Sequence, residues 1–202
     1  DQLGAGLSST LNVAGTDGHL DKVIIDVVDT ALTVDLSLWT FASTWLPAAD
    51  GDLIVINGAG ITDDTKDQVL TGTSQVDLIT GGAGDDMLYG GASDDTFVDF
   101  VGADQVFGGD GTGDTIRITI AGVQTDLNAA IDDDIQGVEK IDASGVLGVV
   151  GVTINLSGQN DGFEITGTGN ADVLTGSSVA DTIYGGAGND TIVGFVGTDT
   201  VD

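Results

Sequence analysis

Residues 72–107 read GTSQVDLIT, GGAGDDMLY, GGASDDTFV and DFVGADQVF, four consecutive nine-residue units with an Asp at the sixth place and an apolar residue at the eighth. The sixth places are Asp77, Asp86, Asp95 and Asp104; Ile79, Leu88, Phe97 and Val106 fill the eighth. A fixed period governs the fold before any single residue does. The first six residues of a unit turn the chain sharply, because Gly takes positive φ without penalty and Asp tolerates left-handed geometry. The last three form a short strand with one apolar side chain. Two units per circuit give a flattened coil about eighteen residues around, its eighth-place side chains stacked inside.

This geometry stacks the turns of units n and n+2 at the spacing of parallel strands, roughly 4.8 Å. Sixth-place carboxylates of neighbouring circuits therefore come close, and unneutralised they would repel. A hard cation resolves this: Ca²⁺ accepts about six to eight oxygens at about 2.3–2.6 Å, mixing carboxylate and carbonyl, whereas Mg²⁺ insists on an octahedron and keeps its waters. A second block follows the same register at 167–202, GTGNADVLT, GSSVADTIY, GGAGNDTIV and GFVGTDTVD, with Asp172, Asp181, Asp190 and Asp199 at the sixth place. After Phe107, GGDGTGDTIRI puts Asp114 at the sixth place only if its unit starts at Gly109, one residue late, which marks a weaker site.

GGAGDDMLY and GGAGNDTIV resemble the GGxGxDxUx nonapeptide of the repeats-in-toxin (RTX) family. The resemblance covers about 72–117 and 167–202. It implies an all-β fold, a right-handed parallel β-roll or β-solenoid with Ca²⁺-binding turns. It also implies secretion by a type I system, hence an extracellular or cell-surface place on a Gram-negative bacterium. The implied metal ligands are the side chains of the nine Asp residues named above, Asp77 to Asp199 with Asp114, and carbonyls of earlier turn positions, here Gly81, Ala83, Gly90, Ala92, Gly185 and Ala187. Pairing units two apart joins Asp77 with Asp95, Asp86 with Asp104, Asp95 with Asp114, Asp172 with Asp190 and Asp181 with Asp199. Five internal Ca²⁺ sites follow, with more at block ends, and five ions would carry the formal charge from −29 to −19.

The remainder reads as degenerate coils. Residues 1–71 form a spacer, with a polar first coil over 1–20, strands in DKVIIDVV and ALTVDLS about an Asp29–Thr30 turn, and an aromatic insertion at 38–51. That insertion holds Trp39, Phe41, Trp45 and Pro47; it is either a lid on the solenoid or an exposed patch, and burial of the tryptophans decides. Strand DLIVINGA and the acids Asp63, Asp64 and Asp67 lead into repeat block 72–117. A second spacer, 118–166, carries strands in VEKIDAS, VTINLS and FEIT and a short helix over TDLNAAIDDDIQ, whose Asp132–Asp134 run reads as a solvated loop sooner than a metal site. Residues 90–107 and 185–202 agree at 11 of 18 positions, including Phe-Val-Gly outside the consensus, which argues for a duplicated module.

Composition narrows function. Lys and Arg number 4 against 33 acids, and 31 of those acids are Asp, placing the charge in turns and not on helices. Nucleic acid is excluded as a partner by charge, anionic membrane surfaces are disfavoured for the same reason, and no apolar run reaches membrane-spanning length. With no Cys and a single His, His19, neither a hydrolytic triad nor a His-rich zinc site can be assembled, and no enzyme is expected. Three classes remain: a structural module of a surface layer, fibre or adhesin that contacts further copies of itself or adjoining repeats; the calcium-binding appendage of an RTX enzyme or toxin; and a carbohydrate-binding module with Trp39 and Trp45 set against cell-surface polysaccharide.

Overall fold

The computed structural model describes residues 12–13, 20–27, 33–47, 51–63 and 65–202. The Asp29–Thr30 turn, Asp64, His19 and most of the first coil lie outside these residues. In chain order the elements are β1 (Asn12–Val13), β2 (Lys22–Asp26), β3 (Thr33–Asp35), β4 (Thr40–Phe41), β5 (Leu53–Asn57), β6 (Val69–Thr71), β7 (Asp77–Thr80), β8 (Met87–Ala92), β9 (Thr96–Val98), β10 (Gln105–Asp110), β11 (Thr115–Arg117) and β12 (Gly122–Val123). Helix α1 (Thr125–Ala129) and a 3-10 turn (Asp132–Asp134) follow. The chain continues through β13 (Ile135–Gln136), β14 (Lys140–Asp142), β15 (Val152–Asn155), β16 (Glu164–Thr166), β17 (Val173–Thr175), β18 (Thr182–Tyr184), β19 (Thr191–Val193) and β20 (Thr200–Val201).

Every strand pairing is parallel, and the strands stack into a β-solenoid. One wall is an unbroken nine-stranded sheet, β2-β5-β7-β9-β11-β14-β16-β18-β20, so spacer and repeat coils share one sheet. The facing wall is built in parts, a five-stranded sheet β3-β6-β8-β10-β13 and a four-stranded sheet β12-β15-β17-β19. The join falls in the coil 118–139, which contributes two strands to that wall. β13 pairs back to β10 and β12 pairs forward to β15. Between them α1 buries Leu127, and the Asn128 side chain accepts the Asn155 amide at 2.7 Å and donates to Thr153 O at 3.2 Å.

Eighth-place side chains form the core, as the nine-residue period requires. Ile56, Ile79, Phe97, Ile116, Ile141, Ile165 and Ile183 stack in register along the long wall and are all buried. Leu70, Leu88, Val106 and Ile135 do the same on the facing wall. The duplicated stretches, however, sit on opposite walls: Thr96–Val98 belongs to the long sheet, whereas its counterpart Thr191–Val193 belongs to the facing one. The strand doubling at 118–139 shifts the second block by half a coil.

In the spacers a different device turns the corner. At 35–39, 57–61, 142–146 and 155–159 an Asp or Asn accepts the amide two residues on. A following i→i+3 bond closes each turn. Leu36, Trp39, Ile61, Ala143, Val146 and Leu156 fill these corners with buried apolar groups. Trp39 and Trp45 are 7% and 5% exposed, the burial expected of a lid.

Truncating Phe97 to Ala removes a fully buried ring from the middle of a column, and the expected loss is about 3–5 kcal/mol. Val201→Ala, on the exposed last coil, is expected to cost about 0.5 kcal/mol or less. Urea unfolding in saturating calcium compares the two.

Candidate metal centres

Asp77 is the first residue of its strand and every other sixth-place Asp immediately precedes one, which holds its side chain at the corner of the coil. There the backbone N–H of one sixth-place residue donates to Oδ1 of the Asp one coil later. The bonds are Asp77 N to Asp95 at 2.8 Å, Asp86 N to Asp104 at 2.9 Å and Asp95 N to Asp114 at 2.7 Å. In the second block they are Asp172 N to Asp190 and Asp181 N to Asp199, both at 2.9 Å. All five sequence-predicted pairs are therefore direct neighbours. Gln68, Val152 and Phe163 donate in the same way to Asp86, Asp172 and Asp181, so each block is seated on the coil before it.

The second oxygen is the unusual one. Oδ2 of Asp86, of Asp95 and of Asp114 is buried without a hydrogen-bond partner. An orphaned buried carboxylate oxygen costs free energy unless a donor or a cation reaches it. A glycine at the first place of a turn packs its Cα against the Oδ2 of that turn: a Cβ on Gly81, Gly90 or Gly185 would stand 2.3, 2.3 or 2.6 Å from Oδ2 of Asp86, Asp95 or Asp190. The same Cβ on Gly72 would meet Gly90 O at 2.2 Å, on Gly58 Gly81 O at 1.9 Å, and on Gly167 Gly185 O at 2.5 Å. Carboxylate and carbonyl oxygens thus converge at these corners, as the fit of a hard, oxygen-seeking cation demands. Among the described residues no three His, Cys, Asp or Glu side chains cluster, so backbone carbonyls would have to complete any coordination shell.

The other expected carbonyl donors are less uniform. Ala83 and Ala92 join the stack, their amides donating to Ile61 O at 3.0 Å and Thr73 O at 3.2 Å, while Ala187 is exposed. A cleft of about 300 Å³ brings Gly81, Ala83 and Asp104 to one corner. The turn before Asp114 starts at Gly108, one residue earlier than the sequence suggested. A Cβ there would meet Asp114 Oδ2 at 2.6 Å, and Gly109 takes the second place with φ +107°. The inserted residue is absorbed within 111–113, leaving Asp114 in line with Asp95. Asp132 and Asp134 are structural: Asp132 accepts Asn160 N at 2.6 Å, and Asp134 accepts Ile131 N at 2.9 Å.

Four contributors escaped the sequence reading. Glu139 extends the first ladder by one coil, accepting Asp114 N at 2.9 Å. Asp52 is its spacer counterpart, fully satisfied by Asp21 N and Leu46 N. Fifth-place Asp85 and Asp94 run an outer ladder in the opposite sense, each accepting an amide of the next coil, Ala103 N at 2.9 Å and Thr112 N at 3.1 Å. The doubled Asp of GGAGDD and GGASDD was the signal for that ladder.

Burial raises these carboxyls above the ordinary Asp value of 3.8: Asp77 and Asp104 to about 7, Asp86 and Asp114 to about 6, and Asp95 to about 9. Carboxylates of neighbouring turns add to the rise at Asp86, Asp95, Asp104 and Asp114. A cation beside them would keep such groups ionised at neutral pH.

A family model, the RTX calcium-binding nonapeptide repeat in four copies, matches residues 64–98 and 166–201. No curated protein and no solved structure matches the chain.

Two outcomes follow. Gly90→Ala, which sets a methyl 2.3 Å from Asp95 Oδ2 and 2.5 Å from Gly108 O, is expected to cost at least about 2 kcal/mol, read from denaturant midpoints. For pH, the folded chain without cation holds protons that an unfolded chain has released above about 3.8. Its stability is therefore greatest in acid and is lost as pH rises through about 6–9. Circular dichroism in chelator should show more β-structure at pH 5 than at pH 8, with calcium reversing the order.

Proposed function

Residues 64–98 and 166–201 are RTX calcium-binding nonapeptide repeats, and from them we propose that the chain is a non-catalytic structural module which folds as it takes up calcium outside the cell. The observation that carries this reading is the set of buried, unpartnered Oδ2 atoms on Asp86, Asp95 and Asp114. Free energy of binding to a site that the unfolded chain lacks becomes free energy of folding. Low cytosolic calcium then keeps the repeats open for export, and extracellular calcium, at the roughly 10⁻⁴–10⁻³ M typical of such modules, closes them. RTX repeat proteins are generally secreted. No helix of the described residues is long and apolar enough to cross a membrane.

Within that frame we place the module in a surface layer, fibre or adhesin of a Gram-negative bacterium. Support comes from the unbroken nine-stranded sheet, which joins spacer and repeat coils in one body.

Hydrogen–deuterium exchange with and without chelator tests the reading. Removing calcium should expose the amides of β7–β11 and β17–β20, while the self-capped coil around β14–β16 exchanges more slowly. Equal protection in both conditions would refute it.

A further inference from the structure

We propose that the second residue of each turn decides whether that turn takes a calcium ion, a Thr or Ser closing the corner and a Gly leaving it open. The inference rests on the calcium reading above and sharpens it, because it divides turns that share a sixth-place Asp and an eighth-place apolar residue.

In three turns the second place is Thr73, Thr168 or Ser177. The backbone N–H of each donates to Oδ2 of its own sixth-place Asp, at 2.6 Å to Asp77, 2.7 Å to Asp172 and 2.7 Å to Asp181. The hydroxyl donates to the same carboxylate, at 3.0 Å to Asp77 Oδ2, 3.0 Å to Asp172 Oδ1 and 3.1 Å to Asp181 Oδ1. It also accepts the amide two residues on, from Gln75, Asn170 and Val179, at 3.0, 3.0 and 3.2 Å. The carboxylate is saturated by its own loop.

Where the second place is Gly, the backbone differs. Gly82, Gly91, Gly109 and Gly186 have φ of +118, +117, +107 and +90°. An added Cβ would stand 2.4, 2.0, 2.2 and 2.1 Å from a carbonyl oxygen of the preceding coil, so only glycine fits. The left-handed turn carries the second N–H away from the Asp. Asp86, Asp95 and Asp114 keep a buried Oδ2 that no protein donor reaches. The turn before Asp104, with Phe100 at its second place, is closed by Val101 N at 3.1 Å.

A donor hydrogen and a cation are alternative ways to satisfy one oxygen, and the positive end of the N–H or O–H dipole repels an ion. The open turns are thus 81–86, 90–95, 108–114 and 185–190. Two of them, 90–95 and 108–114, are stacked on one corner through Asp95 N and Asp114 Oδ1. The structure assigns the tightest calcium site to that pair, of which 90–95 lies inside and 108–114 beyond the 64–98 stretch that the family model matches.

Counting ions on the full chain by native mass spectrometry during CaCl₂ titration tests this. Thr168→Gly opens a closed turn and should bind one calcium more than the unaltered chain, whereas Thr168→Val, which keeps the N–H, should bind the same number. Asp95→Asn should lose at least one ion, and Asp181→Asn, in a closed turn, none. An unchanged count in Thr168→Gly overturns the proposal; should that variant not fold, equal losses in Asp95→Asn and Asp181→Asn do so. An unaltered chain that binds no calcium at all would instead defeat the reading on which the proposal rests.

Discussion

The structure depends on one contact repeated up its corners: a backbone N–H of one coil held by the carboxylate of the next. A parallel sheet with three-residue strands leaves most of each circuit to its turns, and turns have no ladder of their own. The sixth-place Asp supplies it. Oδ1 spans the gap between circuits and fixes their register, and doing so buries the carboxylate and commits Oδ2 to finding some other partner. What that partner is, a hydroxyl, an amide or an ion, separates one turn from another.

Four spacer corners answer the same demand without an acid group facing inward. Their Asp or Asn residues cap the strand end locally, and Leu36, Ile61, Ala143 and Leu156 occupy space that glycine and carboxylate fill in the repeats. One solenoid is therefore built from corners of two kinds, apolar ones and oxygen-lined ones. The unbroken long sheet lets the first kind hold the second in place.

Much of this was legible in the sequence. The nine-residue period gave the columns through Ile79, Phe97 and Ile183 and the neighbouring carboxylates, because side-chain identity at one place in nine is what both features require. The spacer corners were not legible, since DLSLW, NGAGI, DASGV and NLSGQ share a capping function but almost no letters. The half-coil shift was equally hidden: it arises where β12 and β13 both join the facing wall, and pairing partners that far apart leave no periodic trace. Glu139 escaped because its unit has lost the turn that makes the pattern visible, and Gly108 because the inserted residue could be placed on either side of it.

The continuity of the long sheet has a kinetic consequence. A spacer coil that has formed presents a finished row of amides and carbonyls on either side, so the adjoining repeat coil orders by adding one circuit to an existing template, at the entropic cost of a single short loop. The slow step of starting a parallel sheet from nothing is confined to segments that require no ligand. Each spacer serves as a built-in seed, and the repeats grow from it as layers grow on a crystal face.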